Sequence, residues 1–137
     1  MWLYRTSGDT DKPIVLYEYQ SGRQAEHPKT FLTGFRGFLH TDGYAGYHNL
    51  QKEITVVGCW AHLRRKFIEA IPQRKSTEGL TNAEIGRNYC DQLFMIERDL
   101  KDLSPEERKT KRLELEKPVL DAFWCWAESL NTLKGSA

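Results

Sequence analysis

GFLHTDGYAGYHNLQKEITVVGCWAHLRRKF, residues 37–67, decides how the chain folds. It opens on Gly37-Phe38-Leu39-His40-Thr41, closed by Asp42-Gly43, which predicts a short strand ending in a turn. A short helix around Tyr44 to Leu50 leads to Ile54-Thr55-Val56-Val57-Gly58-Cys59-Trp60, an apolar run that suits a strand buried on both faces. Ala61 to Ile71 then reads as a helix stopped by Pro72. Strand, helix, strand, helix is the pattern of parallel crossovers.

Upstream, Trp2-Leu3-Tyr4-Arg5-Thr6 and Pro13-Ile14-Val15-Leu16-Tyr17-Glu18-Tyr19 are rich in aromatic and β-branched residues. The polar segment Ser7 to Lys12 between them predicts an antiparallel hairpin. A helix from Pro28 to Gly34 follows, with proline in its first turn and glycine at its end. Downstream the character changes at about Gln73. Thr81-Asn82-Ala83-Glu84 is a capping-box sequence, and Ile85, Tyr89, Leu93, Ile96, Leu100 and Leu103 follow at helical spacing. Ser104-Pro105-Glu106-Glu107 repeats the start signal for a helix running through Leu113 to a kink or break at Pro118. Val119, Leu120, Phe123, Trp124, Ala127 and Leu130 then form one apolar face. The chain is therefore of α/β class, with a strand-and-helix half over residues 1–72 and a helical hairpin over 73–137.

Composition narrows the function classes. The 137 residues suffice for one compact domain with a helical appendage. Twenty Lys and Arg against 19 Asp and Glu leave a net charge of +1, so no global field advertises a nucleic-acid or membrane partner. No apolar run approaches the ~18 residues of a membrane span, and no leader with a cleavage site is legible. Three widely spaced cysteines, Cys59, Cys90 and Cys125, argue against a disulfide framework and for a reducing cytoplasm.

Four features could carry chemistry. Asp42 sits where an apolar strand meets a glycine turn, which places a carboxylate on rigid backbone at a sheet rim. That is a good position for a divalent-cation ligand, although position alone favours the ordinary Asp-Gly turn. Cys59-Trp60-Ala61-His62 puts a thiol and an imidazole three residues apart at a strand-to-helix junction. A structural zinc site needs four ligands, and Cys90, Cys125 and the other histidines are scattered. A Cys-His catalytic pair lacks a visible orienting partner. Arg64-Arg65-Lys66 opens the predicted helix, where the dipole disfavours cations. Nearby phosphates would offset that cost, and a solvated helix face is the competing reading. Tyr44, Tyr47 and Trp60 offer faces of the kind that stack on bases or pack a core.

His40-Thr41-Asp42-Gly43-Tyr44-Ala45-Gly46-Tyr47, followed by Val57-Gly58-Cys59-Trp60-Ala61-His62-Leu63-Arg64-Arg65-Lys66-Phe67, resembles the insertion-sequence-66 family of bacterial transposases. Ile14 to Tyr19 and His27-Pro28 resemble that family's approach to the motif, and Pro118 to Trp124 resembles the end of its helical insertion. The resemblance implies an RNase H-like fold, here partial, for residues 1–72, and a helical insertion for 73–137. It implies an Asp-Asp-Glu triad acting through two Mg²⁺ or Mn²⁺ ions in DNA strand cleavage and transfer. Asp42 becomes the second acid and a metal ligand, His62 an accessory site residue, and Cys59 a packing partner. Arg64, Arg65, Lys66, Trp60 and Tyr44 become the candidate DNA contacts.

On the same resemblance the first Asp belongs on a strand before Trp2 and the Glu after Ala137. Glu84, Glu107 and Glu128 lie in ordinary helical contexts and do not replace it. The expected protein is the central part of a bacterial cytoplasmic transposase, inactive alone, binding metal weakly, with DNA as partner and no membrane. A central strand removed from the sheet leaves two open edges, so self-association is expected. Two other readings compete: a non-catalytic DNA-binding or assembly module derived from a transposase, and an RNase H-like nuclease acting on RNA–DNA hybrids.

Overall fold

The computed structural model describes residues 1–6, 12–73 and 79–134, with side chains to residue 130. It divides into two compact units, Met1–Cys59 and Trp60–Ala137.

In the first unit, β1 (Trp2–Arg5) pairs antiparallel with β2 (Val15–Glu18), Trp2 opposite Glu18 and Arg5 opposite Val15. The hairpin is the one the sequence predicts; most of its turn, Ser7 to Asp11, lies outside the described residues. Alternation puts Trp2, Tyr4, Leu16 and Glu18 on one face and Leu3, Arg5, Val15 and Tyr17 on the other. Helix α1 (Glu26–Phe31) meets the first face. Phe31 stacks on Tyr4 with centroids 3.6 Å apart, and His27 meets the Trp2 ring at 6.2 Å. Trp2 is buried as a result, while Leu3 and Tyr17 on the other face stay exposed.

Strand β3 (Gly37–Thr41) pairs with β4 (Ile54–Gly58) in parallel, Gly37 opposite Ile54 and Thr41 opposite Gly58. The crossover holds one 3₁₀ turn, Ala45–Tyr47, in place of the longer helix expected over Tyr44 to Leu50. Gly46 explains the tight turn, because a Cβ there would overlap the Tyr44 ring. Gln51 closes the crossover by donating from Nε2 to the carbonyls of Leu32 (2.9 Å) and Phe35 (3.0 Å).

Two expectations need correction. The chain is α/β, but its described strands form two separate two-stranded sheets and not one mixed sheet. For the same reason β4 is not buried on both faces. Ile54 is buried, whereas Thr55, Val56 and Gly58 are exposed, since a strand with one neighbour has too little sheet to be sandwiched.

The second unit is helical. Helix α2 (Trp60–Ala70) packs on α3 (Asn82–Asp99), so it joins this unit although the sequence changes character only near Gln73. The Thr81 hydroxyl accepts from Glu84 N (3.3 Å), and the Glu84 carboxylate accepts from Thr81 N (2.8 Å), completing the expected capping box. Ser104 and Glu107 build a second box at the start of α4 (Pro105–Lys111).

The helix does not break at Pro118. A π turn, Arg112–Glu116, carries it into α5 (Lys117–Lys134), with Lys117 N donating to the Arg112 carbonyl. Proline removes one helical N–H and crowds the carbonyl four residues back; a wider turn just ahead of it lets the chain pass without interruption.

Phe123 anchors this unit at 3% exposure, with ring contacts to Trp60, Phe67, Tyr89, Trp124 and Trp126 at 5.1–6.5 Å. Cys90 is fully buried, and desolvation pushes its thiol upward. Trp124, assigned by periodicity to the apolar face of the last helix, is exposed, as is its neighbour Cys125. Phe123 is the α5 ring that meets both Phe67 of α2 and Tyr89 of α3.

Candidate functional site

Asp42 follows directly on β3, so its backbone is fixed by the β3–β4 ladder. Its Oδ1 accepts a hydrogen bond from Tyr44 N at 3.0 Å, and Thr41 Oγ1 accepts one from Gly43 N at 3.3 Å. Gly43 has φ +84°, a conformation that favours glycine, which is why Asp-Gly serves here. The side chain is 42% exposed, and its Oδ2 stands 4.0 Å from a guanidinium nitrogen of Arg23. The turn reading of Asp42 is thus correct as geometry, and it leaves the second oxygen facing outward.

Tyr44 is built into the same cluster. Its ring lies beneath the Arg23 guanidinium, 4.6 Å from centroid to Cζ, and its hydroxyl donates to the Arg23 carbonyl. It also meets Trp2 at 6.1 Å and Tyr47 at 6.0 Å. Tyr47's phenol is pushed upward by burial first and then by the Asp42 charge, with Arg23 opposing. Arg23, in the loop between β2 and α1, has no motif around it in the sequence. Only the fold brings it to Asp42.

The other candidates lie in the second unit, on α2. Trp60 is half-buried with its ring edge-on to Phe123 at 5.2 Å, a packing role. His62 is half-buried, and its buried Nδ1 has no hydrogen-bond partner among the described residues. Arg64 donates to Asp91 on α3 at 2.5 Å, and Asp91 also faces Arg87 at 3.6 Å. Lys66 pairs with Glu69 at 3.0 Å on an exposed face. Arg65 is exposed. Because α2 begins at Trp60, these cations sit in its second turn and not its first, so the dipole penalty expected for them is largely absent. Arg64, Arg65 and Arg98 line an open groove between α2 and α3 with Ile68, Phe94 and Met95.

One polar cluster was not legible in the sequence. Arg112 in the π turn donates to both carboxylate oxygens of Glu97 on α3, at 2.5 and 2.9 Å. This holds Glu97 below the usual carboxylate range. Glu116 beside it is pushed up to about 7, by burial first and then by Glu97. It requires α3 and the π turn to meet, which no local pattern encodes.

Among the described residues, no three His, Cys, Asp or Glu side chains gather where they could hold a metal ion. A pair of divalent cations needs several carboxylate donors, and Asp42 offers one outward oxygen. The residues present therefore do not fit a two-metal centre by themselves. No described helix is long and apolar enough to cross a membrane.

Comparison with known proteins gives a consistent picture. Residues 1–137 match the family described as "Transposase IS66 family". Among curated proteins, the chain is 34% identical to the uncharacterized protein y4hP of Sinorhizobium fredii over 145 residues, covering 92% of this chain and 26% of that protein. It is 30% identical to the uncharacterized protein y4qI of the same organism over 151 residues, covering 100% of this chain and 27% of that one. The chain thus spans about a quarter of the length of these relatives. No solved structure matches it at a significant level.

Proposed function

Since the chain belongs to the IS66 family of transposases, we propose that it forms the central part of a DNA-transposing catalytic domain. In this reading residues 1–72 belong to a partial RNase H-like core and 73–137 to a helical insertion. Asp42 supplies one carboxylate to a divalent-cation site whose other donors lie outside the described residues. The observation that carries the reading is the Asp42 turn. A rigid strand end fixes one oxygen by a backbone hydrogen bond and turns the other outward. In the same reading His62, whose Nδ1 has no hydrogen-bond partner among the described residues, is the accessory group.

DNA is the partner. Arg65 and Lys66 are its best phosphate contacts, since both are exposed and the Lys66–Glu69 pair is a surface pair of small worth. Arg64 joins them only by exchanging Asp91 for phosphate. Trp60 packs on Phe123 in the second unit and Tyr44 on Trp2 in the first, so both are less available for stacking. Self-association belongs to the same proposal, supported by two short sheets that leave Leu3, Tyr17 and Phe38 exposed.

The second reading is a DNA-binding or assembly module without catalysis, favoured by the lone carboxylate. The test is binding to duplex DNA by fluorescence anisotropy across a salt series. Arg65→Ala and Lys66→Ala each reduce the salt slope by about 1. An unchanged slope removes the α2 cations from the interface. Asp42→Ala in a transposase of the relatives' length carrying this segment abolishes transposition under the first reading, and retained transposition leaves only the second.

A further inference from the structure

The groove between α2 and α3 and the outer face of α5 carry the same pattern in opposite charge. We infer that they bind each other between two copies of this chain. Trp124 of one copy seats on Phe94 and Met95 of the other, and the carboxylates of Asp121 and Glu128 meet the guanidinium groups of Arg65 and Arg98. The contact uses neither sheet, so it stands apart from association through strand edges.

The groove presents apolar surface and positive charge together. Ile68, Phe94 and Met95 line it and are exposed, Met95 at 59%. Its acids are already compensated, Asp91 by Arg64 and Arg87 and Glu97 by Arg112. Arg65 and Arg98 have no ion pair among the described residues, so the charge left over is positive. The Arg64–Asp91 contact at 2.5 Å fixes which levels of α2 and α3 face each other. Arg65 follows Arg64 on α2, and Arg98 lies seven residues beyond Asp91 on α3, which is two turns. The two free cations are therefore spaced by about 10 Å along the groove, with Phe94 and Met95 between their levels.

On α5 the spacing repeats with the sign reversed. Asp121 and Glu128 are seven residues apart on one face, again about 10 Å, and Trp124 lies between them at 56% exposure. Glu128 has no ion pair among the described residues, and the 2.6 Å pair of Asp121 with Lys117 is an exposed one of small worth. Tryptophan is the side chain that gains most from burial at an interface, and methionine sulfur is a favourable neighbour for its ring. Duplex DNA fits the groove less well, since phosphates would meet the arginines and leave the three apolar side chains uncovered. One such contact leaves a groove free on one copy and an α5 face free on the other.

The test is sedimentation velocity of the full chain over a concentration series, where the average mass rises with concentration. Trp124→Ala, which spoils the α5 face, raises the concentration for half-association by about thirtyfold or more, the size of a tryptophan hot spot. Met95→Gln with Arg98→Glu, which spoils the groove, does the same. An equimolar mixture of the two variants restores a complex with one copy of each, because each retains the face that the other lacks. All three substituted side chains are exposed, and the mixed complex itself shows that both variants fold. A chain that stays monomeric throughout overturns the inference. Association unchanged in both variants overturns it too and leaves the strand edges as the contact. Variants that are monomeric alone and remain so when mixed also overturn it. If Arg98→Glu weakens binding of duplex DNA and leaves the mass unchanged, the groove holds DNA and the inference fails.

Discussion

Replacing Glu116 with glutamine makes the second unit more stable at pH 8 and leaves it unchanged at pH 4.5. Burial and the neighbouring Glu97 raise the Glu116 carboxyl from its ordinary 4.5 to about 7. A group raised on folding contributes fully below its unfolded pKa, and that contribution is lost as pH climbs through the folded value. Stability therefore falls between about pH 4.5 and pH 7. The ceiling on the loss is about 3 kcal/mol at 1.36 kcal/mol per pKa unit. Glu116 is only partly buried, and solvent screening brings the figure nearer 1 kcal/mol. Glu97, held low by Arg112, acts in the opposite sense and in a lower window, losing its contribution as pH falls through its depressed value. The two windows separate. Glutamine mimics the protonated carboxyl at every pH, so Glu116→Gln gains about 1 kcal/mol at pH 8. Urea unfolding followed by tryptophan fluorescence at pH 4.5, 6 and 8 reads this directly, with Trp60, Trp124 and Trp126 all in this unit. A difference independent of pH, or a loss of stability at pH 8, refutes the reasoning.

Two further substitutions probe the same unit. Gly86→Ala gains about 1 kcal/mol of helix propensity yet destabilises by about 1–2 kcal/mol net, because the new methyl overlaps the Phe67 ring held by Phe123 and Trp126; thermal unfolding reports the sign. Phe123→Ala removes the ring that five aromatic neighbours share and costs about 3–5 kcal/mol in chemical denaturation, whereas a loss under 1 kcal/mol would mean that the cluster closes over the gap.

Local signals carried most of the secondary structure. Gly37–Thr41 is the strand its composition and Asp-Gly stop define, and both capping boxes sit where Thr81-Glu84 and Ser104-Glu107 place them, because all the interactions involved span a few residues. Burial was less legible. An apolar run such as Ile54-Thr55-Val56-Val57 reads as sandwiched only if neighbours exist on both sides, and the number of strands in a sheet is not a property of the run. The Asp42 turn was legible because it is local. Arg23 and the Glu97–Glu116 pair were not, since each depends on segments far apart in sequence meeting in space. The pairing of Arg64 with Asp91, 27 residues on, escaped for the same reason.

The π turn at Arg112–Glu116 also has a meaning in the bookkeeping of chain length. A π turn is an α-helix with one extra residue accommodated in place, and each residue of an α-helix advances the azimuth by about 100°. The extra residue sets the angle at which α5 presents Phe123 to α2 and α3, so the helix is phased by a local insertion and not by its own periodicity. A related chain one residue shorter here would keep both capping boxes and every strand, yet would turn a different face of its last helix toward the aromatic cluster.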